Sequence, residues 1–165
     1  NVARRLRSSV LVTGHTRDDQ AETVLIRAAR GSSWRGLAGM RAFTPLPLWP
    51  EGRGVWLARP LLSARREALR EVLRLRGADW IEDPANANPD FARVRAREAL
   101  AAALFDPMRL AALAERLAPR AQALDDAVFD LIQRSVRYDG DAMIVDAEAW
   151  GARPAGRARA PARWG

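Results

Sequence analysis

The sequence predicts an α/β fold: helices on a parallel sheet, followed by a helical extension. Three observations carry that expectation. "SVLVT", Ser9 to Thr13, is a short, continuous β-branched run of the kind buried on both faces of a parallel sheet. A helical pattern follows it directly, and "VWLARPLL" reads as a second strand ending at Pro60, again with a helical pattern behind it. From Pro107 to about Tyr138, Leu110, Leu113, Leu117, Leu124, Val128 and Leu131 recur at three, four or seven, the spacing of helix packed on helix.

The first helix has a legible start and stop. Thr16 is a good N-cap, Asp19 stands three residues later as in a capping box, and Ala21, Val24, Leu25 and Ala28 form the apolar stripe. Gly31 ends it. "RGSSWRGLAGM", Arg30 to Met40, is then a glycine-punctuated loop, and "FTPLPLWPEGRG" a proline-rich, hairpin-like excursion. Ser63 is expected to cap a second helix, with Leu69, Val72 and Leu73 inward and Gly77 as its stop. "WIEDPANANPDF" is a loop in which Asp83 and Asn86 fit turn positions. Asn88, Pro89 and Asp90 fit the N-cap, N1 and N2 positions of a third helix. Pro119 is expected to kink or divide the long C-terminal pattern. The domain boundary is expected near Asp106.

With 165 residues and 48% of them apolar, the chain can bury a real core. No apolar run approaches the roughly 18 to 20 residues that cross a bilayer, and the N-terminus lacks a signal-peptide layout, so no membrane partner and a cytoplasmic location are expected. There are no cysteines, which removes disulfides, thiolate metal sites and cysteine nucleophiles, and one histidine makes a structural zinc site implausible. The formal charge is +7, and all 27 basic residues are arginine, a balance that suits a polyanion partner or simply a biased genome. The final "GARPAGRARAPARWG" contributes four arginines and no acid. It is expected to be disordered, with a nucleic-acid-binding arm as the other reading.

The chemistry-bearing residues cluster in two stretches. In "TGHTRDDQAET", Asp18 and Glu22 are four apart and Asp19 and Glu22 three apart, so three carboxylates project from neighbouring positions at a helix start. In a parallel sheet that point lies beside the carboxyl end of a strand, where ligands bind, and the cluster suits Mg²⁺ or an ammonium group. The bland alternative is a favourable interaction of acids with the helix macrodipole. His15 could touch the same site or be a loop packing residue. In "DPANANPDFARVRAR", Arg93 and Arg97 share a helical face while Arg95 points elsewhere; the pair could grip a phosphate or lie in a solvated basic face with Asp90 and Glu98.

Taken together, "HTRDDQAETVLIRAARGSSWRGLAGM", "RPLL" and "WIEDPANANPDFARVRAR", in that order, closely resemble the N-terminal catalytic domain of the bacterial tRNA(Ile)-lysidine synthases, a family of N-type ATP pyrophosphatases. The resemblance implies a partial Rossmann-like PP-loop ATPase domain over residues 1–105, a helical linker region over 106–150 and the Arg-rich tail over 151–165. It implies tRNA(Ile), free L-lysine and ATP with Mg²⁺ as substrates, and wobble cytidine converted to lysidine. Asp19 and Glu22 then match the carboxylates that hold the lysine ammonium, with Asp18 and His15 shaping the nucleotide site. Arg30 and Gly31 match nucleotide or tRNA contacts, and Arg93 and Arg97 tRNA or phosphate contacts. The family's SGGxDS loop belongs before the HTRDD motif, and "NVARRLRSSVLV" holds no glycine, so the sequence is expected to be an N-terminally truncated piece with little ATP binding of its own. An exposed apolar strand edge, and with it a possible homo-oligomer, is expected in that case. Val94 also departs from the asparagine usual after Arg93. The competing readings are a non-catalytic RNA-binding module, which gives no reason to converge three carboxylates, and an inert remnant.

Overall fold

A computed structural model describes residues 5–47, 52, 54–81, 90–139 and 142–151. The chain adopts the expected α/β fold. Strand β1 (Val10–Val12) leads through Thr13–Thr16 into helix α1 (Arg17–Ala29). A short helix α2 (Trp34–Leu37) lies within the glycine-punctuated loop, where no helix was expected. Strands β2 (Phe43–Pro45) and β3 (Trp56–Ala58) follow, then helix α3 (Arg66–Leu75) and helix α4 (Ala92–Ala101). The 29-residue helix α5 (Pro107–Ser135), strands β4 (Val136–Asp139) and β5 (Ala142–Val145), and helix α6 (Ala147–Gly151) complete the described elements.

β3 is the centre of a three-stranded sheet. It pairs in parallel with β1, Leu11 opposite Leu57, and antiparallel with β2, Thr44 opposite Leu57. The sheet is therefore mixed, because the proline-rich excursion returns as a hairpin. Pro45 is tolerated since β2 is an edge strand, and Phe43 stacks on Trp56 across the hairpin with ring centroids 4.7 Å apart. The expectation that β1 would be buried on both faces does not hold: all three residues are exposed, Val12 by 62%. Among the described residues β1 has β3 alone as a sheet neighbour. Its partner strand β3 buries Leu57, and Val55 just before the strand is buried too, whereas Trp56 is exposed.

α1 is the best-packed helix, with Gln20, Ala21, Glu22 and Val24 buried. Its apolar stripe is shorter than expected, since Ala28 is exposed. α1 packs against α4, where Val94 and Ala96 are buried. A valine after Arg93 thus serves the helix interface. The capping box forms as expected: Thr16 N–H donates to Asp19 Oδ2 at 2.7 Å and Asp19 N–H to Thr16 Oγ1 at 3.4 Å. Gly31, at φ +70, stops the helix.

Two other starts differ from the sequence reading. α3 has Arg65, not Ser63, at its N-cap, and none of its residues is buried. Its first N–H is met from another helix instead, Arg66 N–H donating to Asp18 Oδ2 at 2.7 Å. α4 starts at Ala92 with Phe91 as N-cap, so Asp90 precedes the helix; Asn88 and Pro89, like Asp83 and Asn86, lie outside the described residues. Gly77, at φ +62, does end α3.

The chain packs as two compact units, Asn1–Ala118 and Pro119–Gly165. α5 contains residues of both units, with Pro119 inside the helix. In the first unit Ala111 and Ala114, rather than the expected Leu113, are its buried residues. The second unit holds the β4–β5 hairpin, Arg137 opposite Ile144, where the sequence suggested helix as far as Tyr138. The arginine-rich tail from residue 152 lies outside the described residues.

Candidate functional site

The carboxyl ends of β1 and β3 point the same way because the two strands are parallel, and each leads into the start of a helix, α1 and α3. The turn between them is joined by Arg17 N–H donating to Ala64 O at 2.8 Å. This brings Asp18, Asp19 and Glu22 beside Arg66, and α4 adds Arg93 and Arg97 from the other side. Asp19 and Glu22 share the Arg66 guanidinium, while Asp18 meets the Arg66 backbone instead.

Glu22 is the most enclosed member, its side chain 1% exposed. Oε1 accepts from Arg97 Nε at 2.9 Å and from Arg66 Nη2 at 3.4 Å. Among the described residues Oε2 is buried with no hydrogen-bond partner. A buried carboxylate oxygen left open in this way is costly unless something fills it. Asp19 accepts from the Thr16 hydroxyl at 2.6 Å and from Arg66 Nη2 at 3.0 Å. Burial opposes its ionisation, but the Thr16 hydrogen bonds and the charges of Arg66 and Arg93 outweigh that and hold the carboxyl below its ordinary value.

His15 lies one step back, its Nδ1 2.8 Å from Thr13 Oγ1. Burial first, then the cations Arg59 and Arg93, lower its pKa against the pull of Asp19, so the imidazole is neutral at physiological pH. Arg59 follows β3 and donates from Nη1 to Arg41 O at 2.7 Å. Beside it a cavity of about 320 Å³ is lined by Gln20, Ala58, Arg59, Leu62, Ser63 and Glu115.

Arg93 is exposed on α4 and close enough to His15 and Asp19 to influence both. Arg97 is turned inward onto Glu22. Arg30 and Gly31 are not part of this group: they sit at the far end of α1, eleven residues and roughly 16 Å of helix from Asp19. Among the described residues no three His, Asp or Glu side chains are grouped to hold a metal ion. The Thr16 hydroxyl already holds Asp19 and Arg97 holds Glu22, which leaves too few free oxygens for the six-coordinate shell of a resident Mg²⁺.

Sequence reasoning missed Arg66 and Arg59. Arg59 stands in the quoted "RPLL", but Arg66 is one arginine among many, and only the fold delivers it to acids more than 40 residues away. Gln20 was also missed. Its amide grips both backbone groups of Met40, at 3.0 and 2.7 Å, while Arg27 Nη1 donates to the carbonyls of Gly36 and Gly39, so the loop behind the site is stapled to α1.

Residues 1–104 match the family described as the PP-loop domain. The tRNA(Ile)-lysidine synthase of Hyphomonas neptunium is 47% identical over 151 residues, which cover 92% of this chain and 41% of that protein. Those of Bradyrhizobium sp. and Salinispora tropica are 42% and 43% identical, covering 90% and 84% of this chain and 43% and 40% of theirs. The chain spans about two fifths of the length of these relatives. It belongs to the PP-loop domain family, and over most of its length it is similar to tRNA(Ile)-lysidine synthases.

Proposed function

We propose that this chain is part of an enzyme that modifies tRNA(Ile), using ATP to join free L-lysine to cytidine 34 and so form lysidine. One observation carries the reading furthest: a buried carboxylate, Glu22, with an open oxygen, beside ionised Asp19 at the carboxyl end of two parallel strands. A substrate ammonium brings three donors and one positive charge, which suits that unpartnered carboxylate oxygen. A pure RNA-binding surface would not bury acids next to a polyanion.

ATP, entering with Mg²⁺ as a co-substrate, supplies the adenylyl group that turns the C2 oxygen of the base into a leaving group. Within the chain, Asp19 and Glu22 orient the amine, and His15 helps to shape the nucleotide site. Exposed Arg93 suits a phosphate of the nucleotide or the tRNA, and Arg97 holds Glu22 in position. Asp18 contributes by capping α3 rather than by touching a ligand. Arg30 and Gly31, at the far end of α1, suit an outlying contact with the tRNA. A cytoplasmic location agrees with a tRNA substrate; among the described residues no helix is long and apolar enough to cross a membrane. The exposed β1 edge is the natural place for association between copies.

The test is steady-state kinetics on Asp19→Asn and Glu22→Gln in a full-length protein that carries this segment. Each removes a charge-assisted contact worth about 1.5 to 3 kcal/mol, so KM for lysine should rise on the order of tenfold to a hundredfold with little change in KM for ATP. Unaltered lysine dependence in both variants would remove the basis for the reading.

A further inference from the structure

We infer that Arg66 is an exchangeable internal counter-ion: its guanidinium sits on the acid pair until a cationic amine displaces it, and so sets how strongly the site takes amines. The inference rests on the reading of Asp19 and Glu22 as an amine site and adds a residue that governs its selectivity.

The two arginines on Glu22 are not equivalent. Arg97 approaches at 2.9 Å, the length of a strong charge-assisted bond, whereas Arg66 reaches Glu22 at 3.4 Å and Asp19 at 3.0 Å. Arg66 divides one nitrogen between two acids, at ordinary range to Asp19 and at long range to Glu22. Its side chain is 31% exposed while that of Glu22 is 1% exposed, so it covers the buried acid from the solvent side.

The backbone of Arg66 is anchored separately. Its N–H donates to Asp18 Oδ2 at 2.7 Å, so the side chain can swing outward while the start of α3 stays in place. Charge counting gives the direction of the exchange. Asp18, Asp19 and Glu22 carry three negative charges, and Arg66, Arg93 and Arg97 three positive ones. Adding an ammonium with Arg66 in place leaves the site one charge too positive; releasing Arg66 restores neutrality. The ammonium can also reach Oε2 of Glu22, which has no hydrogen-bond partner among the described residues. Exchange therefore gives up one nitrogen shared between two acids, long on Glu22, and fills an unpartnered acceptor.

Calorimetric titration of the full chain with L-lysine and with L-norleucine, which has no side-chain amine, tests this in wild type, Arg66→Gln and Arg66→Lys. Removing the competitor should tighten lysine binding roughly three- to tenfold in Arg66→Gln and leave norleucine unchanged, the competitor being a partly exposed ion pair. Arg66→Lys keeps the positive charge and should stay within about twofold of wild type. Arg66→Met, which retains the apolar stem, should repeat the gain and guards against a folding defect confined to the glutamine variant. Lysine binding that weakens or stays constant in folded neutral variants would overturn the inference, because Arg66 would then be holding the acids rather than competing for them. Equal binding of lysine and norleucine by the wild type would instead overturn the amine-site reading, and the role of Arg66 with it.

Discussion

A glutamate with almost none of its side chain exposed is stable only while its charge is matched. Arg97 provides most of that match for Glu22, so Arg97→Ala should destabilise the protein by about 2 kcal/mol. That is below the 3 to 5 typical of a fully buried pair, because the Arg97 side chain is 36% exposed and Arg66 remains. Arg93→Ala, in contrast, should leave the thermal midpoint unchanged and reduce the log–log salt slope of tRNA binding by roughly 0.7 to 0.9. Denaturation and filter binding on the two variants separate these roles, which sequence spacing alone assigned jointly. His15 adds a pH dependence. Its pKa is lowered by folding, so as pH falls below 6.5 the unfolded chain takes up a proton before the folded one, and stability drops until the folded pKa is passed. His15→Gln should abolish that part of the pH profile of the thermal midpoint. The proximity of Asp19 and Glu22 was legible because both lie within one helical turn; their arginine partners come from other helices, and no local spacing encodes them.

At the scale of elements, the start of α1 was readable because capping is local chemistry: Thr16, Asp19 and Gly31 each act within four residues of the helix end. Thr16→Ala should cost about 1 to 2 kcal/mol, measured by denaturant unfolding, since it removes the hydroxyl that shares Asp19 Oδ2. The start of α3 was misread for the complementary reason. A serine in the right place is a good cap only if nothing better competes, and Asp18 of a different helix meets the N–H of Arg66. The loop behind α1 shows a third case. Its glycines were legible as loop punctuation, but not that Gly39, at φ +69, lies so close to Gln20 that an added Cβ would stand 2.6 Å from Oε1. Gly39→Ala therefore meets both a strained backbone and a steric clash, and should cost more than about 1 kcal/mol in stability.

For the whole molecule, the alternation of strand and helix was enough to give the α/β class, since βα succession constrains topology strongly. What was not legible was the ending: Val136–Val145 carries apolar residues at spacings that serve a helix or a hairpin equally, and pairing of β4 with β5 decides it. Nor did the pattern show which residues of α5 turn inward, because its buried apolar positions are alanines rather than leucines. Pro119 has one more consequence. It carries no amide hydrogen, so the carbonyl of Glu115, four residues before it, cannot receive its usual helical bond, although the helix continues on both sides. In heavy water α5 should accordingly read as two helices: two stretches of slow deuterium uptake flanking a fast-exchanging turn around residue 119, a division that Pro119→Ala would erase by restoring the missing bond.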